Sequence, residues 1–173
     1  MVIADIVQCC GNVVSAFYDI KPLKEKLLNV PILHLKKATF NSNGLLFAAV
    51  GNNEVRKRIA TENINNKFGK IVHPFAQISN YASIHDGTVV MSGVSINTMA
   101  HIGRHCIINT NASIDHECVI EDFVHISPNA TLCGNVQVGE GTHIGAGAIV
   151  IPGIKIGKWA TVGAGAVVID DVP

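Results

Sequence analysis

Aliphatic side chains recur at every sixth position between Val72 and Val168. The series runs without insertion or deletion, and all seventeen positions are Val, Ile or Leu. The fourth residue after each aliphatic is small or β-branched almost throughout, as at Ala76, Thr88 and Cys106. An amphipathic helix repeats at about 3.6 residues and an ordinary strand at about 2, so a strict period of six predicts a short strand plus a turn, used repeatedly.

Three such units make one triangular coil of 18 residues with its aliphatic side chains pointing inward. Successive coils of a parallel β-solenoid pair about 4.8 Å apart, and the six-residue signature specifically resembles the left-handed parallel β-helix. An all-β sandwich would instead show turn signals at about 8 to 12 residues and lose phase. Glycines that directly follow the aliphatic position predict turns with positive φ, and they are Gly103, Gly139, Gly145, Gly157 and Gly163.

Residues 1–70 lack this period and predict a small α/β unit. Residues 2–10 have helical apolar spacing, residues 12–18 predict a strand that ends at Asp19, and residues 44–50 predict a buried strand. A second helix is predicted over residues 53–65, with Asn52 or Asn53 as its N-cap. This order indicates a Rossmann-like parallel sheet, and we therefore predict two domains, at 1–70 and 71–173.

Composition argues against several classes of partner. Lys plus Arg and Asp plus Glu number 13 each, which indicates neither a nucleic acid nor a membrane partner. Residues 1–70 are net basic and residues 71–173 net acidic. No apolar run approaches the roughly 18 residues of a membrane span. No Lys or Arg precedes Lys21, so neither a signal nor a transit peptide is predicted and the expected location is cytoplasmic. The five cysteines lack zinc-site spacing and are predicted to be reduced thiols.

A candidate for chemistry lies in the segment DHE, where His116 stands between Asp115 and Glu117. Because residues 18 apart stack on successive coils, His116 is expected to lie under Gly134, which has no side chain. That leaves room for a ligand beside the imidazole and places a backbone N–H close by. A near-neutral base next to a backbone donor suits acyl transfer. The alternative is that His116 is an ordinary exposed turn residue.

A second pair of histidines, His125 and His143, is also 18 residues apart. The two rings are expected to stack on an outward-facing strand position of one face. This pair either belongs to a site or forms a polar ladder buried against another subunit.

The segments IDHECVIEDFVHISPNATLCGNVQVGEGTHIGAGAIVIPGIKIG and TVGAGAVVIDDV resemble the hexapeptide-repeat sugar acyltransferases of the sialic acid O-acetyltransferase type, which include bacterial UDP-4-amino-sugar N-acetyltransferases. The resemblance implies that His116 is the general base and Glu117 its orienting carboxylate. It also implies that His125 lies beside the thioester, that the Gly134 N–H contacts the acetyl oxygen, and that acetyl-CoA is the donor, with no metal. The backbones that would line the coenzyme A arm are Gly145, Ala146, Gly163 and Ala164. Members are similar in forming homotrimers with sites between neighbouring β-helices.

The resemblance extends to the front unit, which in the family holds the nucleotide-sugar. Asp19 matches the family's acidic residue after the second strand, and Gly51, Asn52 and Asn53 match its GDN-like turn. The family's glycine-rich loop after the first strand has no counterpart here, so this domain is expected to be incomplete.

The leading hypothesis is therefore an acetyl-CoA-dependent acetyltransferase that acts on an amino or hydroxyl group of a bacterial sugar, with a nucleotide-linked 4-amino sugar as the preferred acceptor. The amine would attack the thioester directly, because no candidate residue is an obvious activated nucleophile. Three alternatives stay open: a sialic acid O-acetyltransferase, a catalytically silent trimeric scaffold without the nucleotide cradle, and a γ-type carbonic anhydrase. The last needs three histidines around zinc, whereas the histidines give a single eighteen-residue pair.

Overall fold

The computed structural model describes residues 1–35 and 44–173, and most of it is a parallel β-solenoid. Seventeen two-residue strands follow one another at intervals of six residues, and every one ends at a predicted aliphatic position. They are β4 (Ile71–Val72), β5 (Gln77–Ile78), β6 (Ser83–Ile84), β7 (Val89–Val90), β8 (Ser95–Ile96), β9 (His101–Ile102), β10 (Ile107–Ile108), β11 (Ser113–Ile114), β12 (Val119–Ile120), β13 (His125–Ile126), β14 (Thr131–Leu132), β15 (Gln137–Val138), β16 (His143–Ile144), β17 (Ile149–Val150), β18 (Lys155–Ile156), β19 (Thr161–Val162) and β20 (Val167–Val168).

The strands form three parallel sheets, because every third strand pairs with the strand one coil later. The first sheet has the order β19-β16-β13-β10-β7-β4, the second β20-β17-β14-β11-β8-β5, and the third β18-β15-β12-β9-β6. The register is 18 residues per coil, as in the pairs Ser113 with Thr131 and His125 with His143. The predicted β-solenoid is confirmed.

The solenoid core is a stack of aliphatic side chains. Ile102, Ile108, Ile114, Ile126 and Leu132 are all 0% exposed, and small buried residues of the turns fill the space between them. Burial of one such side chain is worth about 1.5–3 kcal/mol, so a core position in every strand stabilises each coil against its neighbours. Long-range pairing thus follows directly from the six-residue period.

The predicted positive φ of the glycines directly after the aliphatic position is wrong. None of those five glycines has positive φ; the left-handed residue is the third after the aliphatic, as at Gly141 (φ +70), Gly147 (φ +65) and Glu117 (φ +59). Most of the five glycines are instead required by close approach of the next coil. A Cβ at Gly145, for example, would lie 2.5 Å from the Ala164 backbone nitrogen.

The front unit contains two helices and a small mixed sheet. They are α1 (Val2–Cys9), β1 (Phe17–Asp19), β2 (Lys26–Leu27), β3 (Val30–His34) and α2 (Asn53–Glu62). The sheet order is β1-β3-β2, in which β3 is parallel to β1 and antiparallel to β2. Both helices were predicted, and the N-cap is Asn52, whose Oδ1 accepts from the Val55 N–H at 2.9 Å.

The predicted buried strand at 44–50 is wrong, since that segment makes a single parallel bridge between Leu46 and Phe68. Of the strand predicted at 12–18, only the last part is a strand, in β1 (Phe17–Asp19). The hairpin of β2 and β3 was not predicted. The wholly parallel sheet is therefore also wrong. The division of the chain at 70/71 stays a prediction.

The front unit packs against the first sheet. Ile6 of α1 lies in one buried cluster with Ile71, Val89 and Ile107, which are the outward residues of the early coils of that sheet. Helix α2 contacts the turns that precede β10 and β13 of the first sheet, through hydrogen bonds from Arg56 to the His105 and Phe123 carbonyls. Within residues 1–35 and 44–173, no helix is long and apolar enough to cross a membrane.

Candidate active site

His116 and Glu117 lie at the corner between the second and third sheets, after β11 and before β12. His116 Nδ1 is 3.0 Å from Glu117 Oε2, and the two side chains are 52% and 57% exposed. Because a carboxylate only accepts, this contact places the imidazole proton on Nδ1 and leaves the lone pair on Nε2. The geometry supplies a base whose tautomer is set by its neighbour.

Asp115 fixes the backbone before the ring. Its Oδ1 accepts from the His116 N–H at 2.8 Å and from Asn97 Nδ2 at 2.8 Å. These hydrogen bonds, that from Asn97 first, lower the pKa of the Asp115 carboxyl. Glu117 holds a left-handed backbone conformation, which costs a side-chain-bearing residue about 1–2 kcal/mol. The same turn position is left-handed in other turns of the solenoid, as at Phe123 and Trp159, so this conformation belongs to the repeat.

The predicted stacking of His116 under Gly134 is present, and Thr98 lies one coil earlier in the same column. The Glu117 N–H donates to the Thr98 carbonyl at 3.0 Å, and the Asn135 N–H donates to the His116 carbonyl at 2.9 Å. A Cβ at Gly134 would lie 2.5 Å from both Cε1 and Nε2 of His116, so the ring packs on the bare glycine backbone. Gly134 is buried, and within the described part of the chain its N–H donates no hydrogen bond.

An open cleft of about 450 Å³ runs beside this column. Its walls come from three successive coils at the same corner: Asp115, His116, Cys133, Gly134, Asn135, Pro152 and Gly153. The free Nε2 of the imidazole and an unused backbone N–H therefore meet in one concave place, which is the arrangement that acyl transfer needs.

The second histidine pair is stacked as predicted, with ring centroids 4.8 Å apart and planes inclined by 14°. Asn109 Nδ2 donates to His125 Nε2 at 3.2 Å, and His143 Nε2 is 2.7 Å from Ser127 Oγ. Burial lowers the pKa of His125 to about 4, helped by the His143 ring and the Arg56 charge and opposed by a hydrogen bond to the Gly51 backbone. The pKa of His143 is lowered by burial and by Arg56. Both rings are neutral at pH 7.

The structure does not bring His116 and His125 together within one chain. His125 lies on the outer side of the first sheet, and His116 lies at the corner where the second and third sheets meet. In a triangular coil that corner is opposite the first sheet. A site that used both histidines would have to take them from two copies of the chain.

The backbones predicted to line the coenzyme A arm stack at a third place, the corner between the first and second sheets. The Gly165 N–H donates to the Ala146 carbonyl at 2.8 Å, and Gly145 packs directly against the backbone at Gly163 and Ala164. Ala146, Gly163 and Ala164 are exposed. They form a narrow strip of small residues that is open to a ligand.

The residues predicted to hold the sugar fall in two groups. Asn52 caps α2, and Asn53 Nδ2 donates to the Gly141 carbonyl at 2.9 Å, so both side chains have structural roles. Gly51 lies beside His125. Asp19 is exposed at the end of β1, where its Oδ1 accepts from the Lys21 N–H at 2.7 Å.

Arg56 was missed in the sequence analysis. It is 1% exposed and, with Ala60, forms the buried face of α2. The signal available in the sequence was its spacing from Asn53 and Ala60, which places the three on one helix face. Within the described residues, no group of three or more His, Cys, Asp or Glu side chains is arranged to hold a metal ion.

Two families match the chain. The family described as PglD N-terminal domain matches residues 1–63, and the family described as Bacterial transferase hexapeptide (six repeats) matches residues 117–152 and 135–170.

Solved structures match over almost the whole chain. Perosamine N-acetyltransferase from Caulobacter crescentus, in complex with CoA and GDP-perosamine, is 34% identical with a TM-score of 0.92, over 99% of this chain and 84% of that one. The acetyltransferase domain of PglB from Neisseria gonorrhoeae, in complex with acetyl coenzyme A, is 32% identical with a TM-score of 0.94, over 99% and 86%. WeeI from Acinetobacter baumannii shares the fold at 24% identity, with a TM-score of 0.88 over 97% and 85%. The predicted resemblance is confirmed: the chain belongs to the hexapeptide-repeat sugar acyltransferases.

Proposed function

We propose that the protein transfers an acetyl group from acetyl-CoA to the amino group of a nucleotide-linked 4-amino sugar. One observation carries the proposal: His116 has its Nδ1 held by Glu117 and its free Nε2 packed against Gly134, beside an open cleft. The similarity to a perosamine N-acetyltransferase solved with GDP-perosamine favours an amine over a hydroxyl acceptor.

The acceptor amine attacks the thioester carbonyl while His116 Nε2 takes its proton. A C–N bond forms, the carbonyl oxygen gains negative charge, and the Gly134 N–H donates to that oxygen. The C–S bond then breaks, and the proton on Nε2 passes to the departing thiolate, which leaves as coenzyme A. Glu117 stabilises the imidazolium that exists between these two steps. No covalent enzyme intermediate is required.

The donor and acceptor would be held between copies of the chain, and we propose a homotrimer. Three parts of the proposed site lie on different sides of one solenoid. They are His116, the small-residue strip at Gly145, Ala146, Gly163 and Ala164, and the Gly51 turn beside His125. Rotation about an axis parallel to the solenoids brings one copy's corner against its neighbour's face. Coenzyme A would lie along the strip, and Asp19, Gly51, Asn52 and Asn53 would contact the nucleotide-sugar.

The test is thiol release from acetyl-CoA with a panel of UDP-, dTDP- and GDP-linked 4-amino sugars and with sialic acid. His116→Ala is compared with His101→Ala, an exposed histidine on the third sheet that hydrogen-bonds with Ser83. We expect turnover with an amino sugar that falls on the order of 10²- to 10⁴-fold in His116→Ala and is unchanged in His101→Ala.

The alternatives predict other outcomes. Turnover with sialic acid alone indicates the O-acetyltransferase. A folded trimer that binds coenzyme A and turns over no acceptor indicates the silent scaffold. Chelator-sensitive hydration of carbon dioxide indicates the γ-type carbonic anhydrase.

A further inference from the structure

Arg56 is a buried cation held entirely by neutral acceptors. Burial lowers the pKa of its guanidinium to about 10, and no carboxylate is paired with it in the parts of the chain that the structure describes. Its three nitrogens donate to six acceptors: the carbonyls of Val50, Gly51, His105, Phe123 and Val124, and Asn53 Oδ1. An unpaired charge is costly to bury, and hydrophobic packing of α2 alone would not need one.

The acceptors lie on segments that have to be held in register. Nε donates to the His105 carbonyl and one terminal nitrogen to the Phe123 carbonyl, both at 2.7 Å, on neighbouring coils of the solenoid. The other terminal nitrogen donates to the Val50 and Gly51 carbonyls at 3.0 and 3.1 Å. A planar, rigid guanidinium therefore fixes the Gly51 turn relative to the solenoid wall.

The same turn contacts His125. The Gly51 backbone hydrogen-bonds to the His125 ring, and protonation of that ring is opposed first by burial, then by the stacked His143 ring and then by the Arg56 charge. His125 Nε2 also accepts from Asn109 Nδ2 at 3.2 Å. The position and charge state of His125 thus depend on where Arg56 holds Gly51.

We propose that Arg56 is a positioning residue for acetyl transfer, which keeps the sugar-binding turn at Gly51 and the imidazole of His125 in one fixed arrangement. The inference rests on the proposed function, in which Gly51 contacts the acceptor and His125 lies beside the thioester. Arg56 touches neither substrate, and it acts through Gly51 and His125.

Two variants separate its geometry from its charge. Arg56→Lys keeps the charge and removes the planar fork, and Arg56→Gln removes the charge. The matched control is Lys57→Met, since Lys57 also ties α2 to the solenoid, through Glu140 and the rings of Phe123 and Trp159, and among the described residues no hydrogen bond or ion pair joins it to Gly51 or His125.

We expect Arg56→Lys to raise the KM for the amino sugar that the wild type turns over by at least about tenfold, because lysine lacks the planar fork that holds the Gly51 turn against the sugar. The activity of Lys57→Met should change less than about twofold. In an NMR titration, the pKa of His125 should rise in Arg56→Gln and stay near the wild-type value in Lys57→Met.

The titration needs no activity, so it tests the link between Arg56 and His125 even if no acceptor is turned over and the proposed function fails. If Arg56→Lys and Arg56→Gln lower only the melting temperature, with the acceptor KM and the His125 titration unchanged, Arg56 is structural and the proposal is overturned. Failure of both variants to fold overturns it in the same way.

Discussion

The packing of the His116 ring on Gly134 makes a single methyl group a sharp probe of the site. The backbone of Gly134 does not have positive φ, so alanine fits the local conformation. The added Cβ would lie 2.5 Å from Cε1 and Nε2 of His116, and ordinary contact begins at 3.4 Å. The ring must therefore retreat by about 0.9 Å, and it can do so because the side chain is half exposed. The Gly134 N–H is kept.

A displacement of about 1 Å at the reacting group costs on the order of 100-fold, which corresponds to about 2.7 kcal/mol of transition-state stabilisation. We expect this loss in kcat/KM for Gly134→Ala, measured by thiol release with a nucleotide-linked 4-amino sugar. The melting temperature should move little, since the ring moves toward solvent and no buried contact is lost.

A double-mutant cycle isolates the cause. In the His116→Ala background the new methyl group has nothing to displace, so Gly134→Ala should cost almost nothing further. Wild-type activity in Gly134→Ala would refute the placement of the imidazole at the reacting atoms. An equal loss in both backgrounds would refute the explanation by displacement of the ring.

Three further predictions concern neighbouring features. Glu117→Gln should lower kcat by about 10- to 100-fold at unchanged melting temperature, because the amide no longer stabilises an imidazolium at His116; an unchanged kcat would show that the contact is incidental. The pKa of His125 is about 4 in the folded protein against 6.5 for the free side chain. The unfolded chain therefore takes up a proton that the folded chain does not, and the free energy of unfolding, which is fully retained above pH 6.5, falls by up to about 3 kcal/mol as the pH drops toward 4. Urea unfolding between pH 7 and 4 should show this loss, and His125→Gln should reduce it. Asn52→Ala should cost about 1 kcal/mol of unfolding free energy through loss of the helix cap, and calorimetry measures that cost.

The solenoid could be predicted from the sequence because each strand repeats the same local pattern. Every solenoid strand ends at an aliphatic of the six-residue series, and all of these except Val72, Ile78 and Ile84 are buried. Because there are no insertions, the residue 18 positions away is the neighbour on the next coil. The stacking of His116 on Gly134 and of His125 on His143 followed from that spacing alone. The stacking partner of any solenoid residue can therefore be found by counting 18 positions along the chain.

The turns were assigned to the wrong residues because glycine serves two purposes in this fold. Glycine at the third position after the aliphatic supplies positive φ, whereas glycine directly after it makes room for the next coil. Composition alone does not separate these two uses. In other turns the left-handed position is held by Asn or by Glu117. Glycine therefore does not mark this position consistently along the sequence.

The front unit has no such repeat, and most of the wrong predictions for its strands follow from that. The hairpin between β2 and β3 turns at Leu28 and Asn29, both with positive φ, where the usual sequence signal is Asn-Gly. Leu at a left-handed position gives no warning of a turn. Arg56 is likewise invisible to hydropathy, because its carbonyl partners at His105 and Phe123 lie 49 and 67 residues away. An arginine is assigned to solvent unless those carbonyls are known.

The separation of the candidate groups around one solenoid determines how the proposed function would place its two substrates. The candidate base at His116 and the glycine on which its ring packs are positioned by the coil repeat. The turn at Gly51 depends instead on Arg56 for its position over His125. If neighbouring copies bring these parts together, the solenoid of one copy supplies the groups for acetyl transfer, and the front unit of the next copy positions the acceptor sugar. Variants at Arg56 should then alter the choice of acceptor while variants at His116 and Gly134 alter turnover of every acceptor alike.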